Sequence, residues 1–121
     1  QRVVRDRVLT ALEAAGPAPP RLPELAEALD DPDGLEDIVA LLDADGRLVR
    51  LEHDLYIDAG ALAEVTGAVR RRLGGRSGLS PGDFREIVDV SRRHLIPILE
   101  HLDRSGVTAR DRDGRTVPDA T

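Results

Sequence analysis

A mostly α-helical fold built twice, with each copy closed by a short β hairpin, is predicted for this chain by three observations. The apolar pattern repeats at a spacing of 59 to 61 residues, helical periodicity gives way to alternation at Gly46 and again at Gly106, and charge divides sharply between the halves. In the first copy the pattern is Val4, Val8 and Leu12, then Leu25, Ala28 and Leu29, then Leu35, Ile38, Val39 and Leu42. In the second it is Val65, Val69 and Leu73, then Phe84, Ile87 and Val88, then Leu95, Ile98, Leu99 and Leu102. Three helices followed by a two-stranded hairpin make a winged helix, a helix-turn-helix with a β wing. The expected fold class is therefore two tandem winged-helix domains, over residues 1–59 and 60–121.

The punctuation places each element. A helix over 2–15 stops at Gly16-Pro17, a second over 22–29 ends at Asp30-Asp31-Pro32, and a third over 34–45 is closed by Gly46. Strands over 47–51 and 55–58 follow, joined by Glu52-His53-Asp54. Since Ile57 ends one wing and Ala61 already lies on the next helical face, little linker separates the copies and a stiff pair is expected. The second copy opens with a helix over 60–73, stopped by Gly74-Gly75; its second helix enters through Ser80-Pro81, as cap and first helical residue, and its third is capped by Ser91 and ended by Gly106. Strands at 107–110 and 115–117 flank Asp111-Arg112-Asp113-Gly114, whose Asp-Gly favours a tight turn.

Composition excludes much chemistry. The 121 residues carry 23 acidic and 17 basic side chains for a net charge of −6, and every basic residue is arginine. Without lysine there is no phosphate-binding loop of the G-x-x-x-x-G-K-[ST] kind and no Schiff base. Without cysteine there are no disulfides, thiol nucleophiles or cysteine-bound zinc, and three histidines make a poor metal site. No apolar run approaches the roughly 18 residues of a membrane span, and no export signal opens the sequence. A monomeric cytoplasmic protein with no membrane contact is expected. Residues 1–60 hold 14 acidic and 6 basic side chains, a net of −8, whereas residues 61–121 hold 9 and 11, a net of +2. The second half is the one suited to a polyanion.

Candidate binding residues cluster there. Arg92 and Arg93 fall on the first two positions of the third helix, where the macrodipole disfavours a cation by about 0.3–1 kcal/mol each, so helix stability does not explain them. Beside the N–H groups of that helix end they would form an anion-binding corner. Ser91 and His94 lie at the same end, Arg112 and Arg115 on the wing, and Arg85 on the polar side of the second helix. Pro97 removes the helical bond to the Arg93 carbonyl, freeing it for water or a base. Asp43 and Arg50 recur as Asp103 and Arg110, so a structural Asp–Arg pair is expected in each copy, which ranks Arg110 below Arg112 and Arg115. Arg70, Arg71 and Arg72 close a helix, where positive charge suits the dipole, and Arg104 sits four residues after Glu100, as in a solvated ion pair. Tyr56 and Phe84 are the only aromatics, so bases have no stacking platform of the RNA-recognition-motif kind. No nucleophile is paired with a base, and catalytic and metal residues are expected to be none.

The stretch Ser91-Arg92-Arg93-His94-Leu95-Ile96-Pro97-Ile98-Leu99-Glu100-His101-Leu102-Asp103-Arg104-Ser105-Gly106-Val107-Thr108, preceded by Phe84-Arg85-Glu86 and followed by Asp113-Gly114-Arg115, resembles the C-terminal end of the bacterial selenocysteine-specific elongation factors, the SelB family. Ala109 departs from the arginine common there. The resemblance implies a translation factor whose last two winged helices hold the SECIS hairpin of selenoprotein mRNA, the signal that recodes UGA as selenocysteine. By position it points to Ser91, Arg92, Arg93, His94, Arg112 and Arg115 as RNA contacts, with Arg85 as helper. GTP, selenocysteyl-tRNA and the ribosome would be served by an upstream part of such a factor, and this portion would need no cofactor and would not itself be an enzyme. The acidic first copy would be a spacer. Two other readings stay open from the residues alone, a tandem winged-helix DNA-binding regulator and a protein-interaction module. The acidic third helix of the first copy argues against two-site DNA reading.

Overall fold

A computed structural model describes residues 2–119. The chain divides into two compact units, Gln1–Leu62 and Ala63–Thr121.

The first unit begins with α1, Arg2–Ala15, which buries Val8, Leu9 and Leu12. Gly16, with φ +57°, ends it. Helix α2, Leu22–Ala28, carries Pro23 in its first turn, and its Glu24 carboxylate accepts the Arg21 backbone N–H at 3.1 Å. Its apolar face is Leu25 and Leu29; Ala28, expected on that face, is exposed. Helix α3, Leu35–Ala44, follows a turn in which Asp30 and Asp31 both take positive φ, and Glu36 and Asp37 in its first turn suit the macrodipole. Strands β1, Leu48–Glu52, and β2, Leu55–Asp58, pair antiparallel with Val49 opposite Ile57 and Arg50 opposite Tyr56. Leu48 and Tyr56 join the three helices in one core with Leu12, Leu25, Val39 and Leu42.

Helix α4, Ala59–Leu73, starts on the Asp58 carboxylate, which accepts the Ala61 N–H at 2.9 Å. Val65, Val69 and Leu73 are its buried stripe, and Arg70, Arg71 and Arg72 lie in its last turn, all three exposed. Helix α5 is a single short turn, Pro81–Arg85, and Asp83 caps it by accepting the Ser80 N–H at 2.8 Å. That bond holds the Asp83 carboxyl below its ordinary value. Phe84 is fully buried, and Val88 follows it into the core from beyond the helix end. Helix α6, Arg92–Ser105, buries Leu95, Pro97, Ile98, Leu99 and Leu102 and ends in Gly106 at φ +83°.

The second wing differs from expectation. The backbone N–H groups of Val107 and Thr108 both donate to the Leu102 carbonyl, so the chain is still unwinding from α6 there. β3 therefore starts later, at Ala109–Asp111, whereas β4, Gly114–Thr116, starts and ends one residue earlier than expected, with Arg112-Asp113 as the connecting loop. Leu79 pairs with Arg115 through reciprocal N–H···O bonds of 2.9 Å, so β4 lies between Leu79 and β3.

Gly114 makes that approach possible. Its φ is +126°, and a Cβ there would stand 2.7 Å from the Leu79 carbonyl oxygen and 3.0 Å from the Gly78 carbonyl carbon, both backbone atoms that cannot swing away. Gly114→Ala is expected to destabilise the second unit by about 1–3 kcal/mol, the scale of a forced backbone conformation. Chemical denaturation checks this, and an unchanged midpoint would contradict it.

Candidate nucleic-acid interface

The N-terminus of α6 is built differently from an ordinary capped helix. Ser91 occupies the cap position with extended backbone, but its hydroxyl makes no capping bond. Instead Ser91 Oγ lies 3.3 Å from His94 Nδ1, so the side chain expected to cover the helix end is turned to the imidazole. The Ser91 carbonyl accepts the N–H groups of His94 and Leu95. The N–H groups of Arg92 and Arg93 have no carbonyl one turn back to meet within the helix. Both arginine side chains are exposed, and neither forms an ion pair among the described residues. Unpaired cations thus stand on the positive end of a 14-residue helix, an arrangement that costs stability and favours an anion. Pro97, also in this helix, is buried, and its missing N–H leaves the Arg93 carbonyl without its usual helical donor.

The wing adds two further exposed arginines, interleaved with the exposed Asp111 and Asp113. Arg110 on β3 and Arg112 in the loop are exposed and line a groove of about 300 Å³ with Ser80 and Pro81 at the start of α5. Arg85 is exposed at the end of α5 and, like Arg112, forms no ion pair among the described residues.

Arg115 departs from expectation. It is only 4% exposed, and its guanidinium grips Asp103 of α6 with Nε 3.0 and 3.2 Å from the two carboxylate oxygens and Nη2 2.9 Å from Oδ2. Asp103 also accepts the Thr108 hydroxyl at 2.6 Å. The expected Asp103–Arg110 partnership is thereby corrected: Arg115, on the middle strand of the wing, takes the carboxylate, and Arg110, on the edge strand, stays in solvent. Arg115 leaves the set of surface contacts and becomes the residue that ties the wing to α6. A signal for this was present in the repeat. At a spacing of 60, Thr108 and Arg115 stand where the first copy has Leu48 and Leu55, each 1% exposed, so polar groups replace apolar ones at two core positions.

Burial pushes the Asp103 carboxyl up, but the hydrogen bonds from Arg115 and Thr108 and the charges of Arg115 and Arg110 prevail and hold it below its ordinary 3.8. A carboxyl depressed in the folded state contributes stability that is fully present above the unfolded value and is lost as pH falls through the folded one. The second unit should therefore weaken on acidification below that ordinary value. Urea titrations should show a shallower pH dependence for Asp103→Asn, which has no charge to lose; parallel curves would contradict the assignment.

The remaining sites have no cationic counterpart in the first copy. Opposite Arg92, Arg93 and Arg112 at the same spacing stand Pro32, Asp33 and Glu52, and opposite Arg85, at a spacing of 59, stands Ala26. Glu52 is itself held by Arg21 at 2.6 Å. The cationic corner is thus a property of one copy. Among the described residues no group of three or more His, Asp or Glu could hold a metal ion, and no helix is long and apolar enough to cross a membrane.

Fold and site together define the class: each unit is a winged helix, and the second exposes an arginine-bearing corner at its third helix and wing. Residues 71–117 match the sequence profile of the family described as "Elongation factor SelB, winged helix". The chain is similar to the selenocysteine-specific elongation factor of Desulfomicrobium baculatum, 32% identical over 77 residues, which are 64% of this chain and 12% of that protein. Two solved structures share the fold. One is the crystal structure of bacterial selenocysteine-specific elongation factor EF-Sec (TM-score 0.74, 18% identity, covering 93% of this chain and 18% of that one). The other is the mRNA-binding domain of elongation factor SelB from E.coli in complex with SECIS RNA (TM-score 0.73, 21% identity, covering 95% of this chain and 97% of that one). The resemblance carried by residues 84–108 is to this same selenocysteine-specific factor, and the chain spans about an eighth of the length of the curated relative.

Proposed function

We propose that this chain is the mRNA-binding portion of a selenocysteine-specific elongation factor and that its second unit holds the SECIS hairpin. The observation that carries this is the pair Arg92 and Arg93, exposed and unpaired on a helix end whose cap hydroxyl is turned aside, in a fold shared with an mRNA-binding domain solved with SECIS RNA. Phosphates would be met by Arg92, Arg93 and the α6 N-terminus, and a second stretch of backbone by Arg112 on the wing, with Arg85 assisting and the Ser91–His94 pair facing the loop. With Phe84 fully buried, no aromatic platform is offered in this unit, so an unstacked base is received by arginine faces or a hydrogen bond. Binding of this kind is non-catalytic and needs neither metal nor cofactor. GTP, selenocysteyl-tRNA and ribosome contacts are assigned to other parts of the factor, acting in cytoplasmic translation.

Charge alone gives little affinity, because a half carrying +2 is joined to one carrying −8. Discrimination must come from the shape and exposed bases of the loop, while the acidic unit repels indiscriminate RNA. Fluorescence titration of the chain with a SECIS hairpin, a loop-scrambled hairpin and a duplex DNA of equal charge tests the reading. Preference for the SECIS hairpin is expected, and equal binding of all three would overturn it.

A further inference from the structure

The first unit keeps a cleft between its second helix, the start of its third and its wing, with the chemistry reversed. The cleft measures about 940 Å³, at the upper end of the range for ligand sites, which suits a peptide segment better than an ion. Its lining is apolar along Leu22, Ala26, Pro32 and Tyr56, and Glu36 and Asp37 border it from the first turn of α3. Both carboxylates are exposed, and neither has an ion pair or side-chain hydrogen bond among the described residues. On the wing side Asp54 is held by Arg21, while Arg50, exposed and bonded only to the Glu52 carbonyl at 3.4 Å, leaves one cation at the wing edge rather than at the α3 edge of Glu36 and Asp37. His53, with Nε2 3.7 Å from Asp54 Oδ1, and Tyr56 complete the wing side of the cleft.

Two features decide the occupant. The cleft lies in a unit of net charge −8, with Pro32 and Asp33 at the positions of Arg92 and Arg93, so a phosphate backbone is repelled and a cation attracted. The apolar strip of Leu22, Ala26, Pro32 and Tyr56 within an otherwise polar lining, with unengaged carboxylates at one edge, asks for carbon beside that cation. We infer that this cleft docks a basic segment of a partner protein, in which arginine or lysine side chains pair with Glu36 and Asp37 and one apolar side chain covers the lining. Complementary charge sets orientation and partner choice, and the apolar contact supplies the burial. The inference is independent of how the second unit treats RNA.

The test is an amide NMR titration of the labelled 121-residue chain at about 0.15 M salt, where exposed charges more than ~8 Å apart are largely screened. The probe is a short peptide with arginines on both sides of one leucine; spermine and the same peptide with serine for leucine are the comparisons. Saturable shifts are expected at Ala26, Glu36, Asp37 and Tyr56, with the serine peptide binding more weakly. In the double variant Glu36→Gln and Asp37→Asn, affinity should fall by about tenfold. Its fold should survive with only a modest loss of stability, because two charges favoured by the α3 macrodipole are removed but both side chains are exposed. The inference is overturned if no saturable binding occurs, if shifts scatter over all acidic residues, if spermine reproduces them, or if the double variant binds equally well.

Discussion

Arg115→Ala is expected to cost the second unit about 2–4 kcal/mol, more than any arginine on its surface. Removing one partner of a buried ion pair costs about 3–5 kcal/mol because the other is left uncompensated. The lower figure here reflects the 21% exposure of the Asp103 side chain and its remaining bond from Thr108. The first copy supplies a control, because it solves the same packing problem with Leu48 and Leu55. Replacing a buried pair by apolar residues of similar volume is often neutral or stabilising, so Thr108→Leu with Arg115→Leu should recover most of the stability that Arg115→Ala removes. Urea denaturation of the three proteins distinguishes the cases. Stability of Arg115→Ala within about 0.5 kcal/mol of wild type, the range of ordinary surface changes, would show that the Asp103–Arg115 contact is not structural.

Arg92→Ala with Arg93→Ala should do the reverse. These side chains burden the helix end in the free protein, so the double variant is expected to be as stable as wild type or slightly more so. Its affinity for the SECIS hairpin should drop by about 150-fold, or ~3 kcal/mol, the lower end for removing two charge-assisted hydrogen bonds of which each is worth about 1.5–3 kcal/mol. The slope of log affinity against log salt should also fall by roughly one unit for each phosphate that is no longer neutralised. A stability loss with unchanged affinity would place both arginines in the fold and not in the interface.

Much of this was legible in the sequence because it depends on local rules. Gly16, Gly46 and Gly106 stop helices for the same conformational reason wherever they occur, and the apolar sets of α1, α3, α4 and α6 map onto the observed core, with Val4 and Ile38 packed at its edge. What escaped depended on partners distant in sequence or on competing geometries. Ser91 reads as a cap, yet its hydroxyl is drawn to His94, a competition between two acceptable geometries that spacing does not decide. Arg110, Arg112 and Arg115 look alike as letters. Only the pairing of Leu79 with Arg115 puts β4 in the middle of the wing, and this turns one of the three inward while leaving the others in solvent. Ala28 failed for a simpler reason: α2 spans two turns, and Leu25 and Leu29 already fill its inner face.

The buried lock sets Arg115, which holds the wing to α6, apart from the exposed Arg85, Arg92, Arg93 and Arg112, which are the proposed RNA contacts. An amide NMR titration of the chain with the SECIS hairpin tests that division most directly. The account predicts large shifts at Ser91, Arg92, Arg93 and His94 and along the Arg110–Arg112 edge, with Glu36 and Asp37 unmoved. Shifts centred on the first unit, or the same pattern produced by a loop-scrambled hairpin, would contradict it.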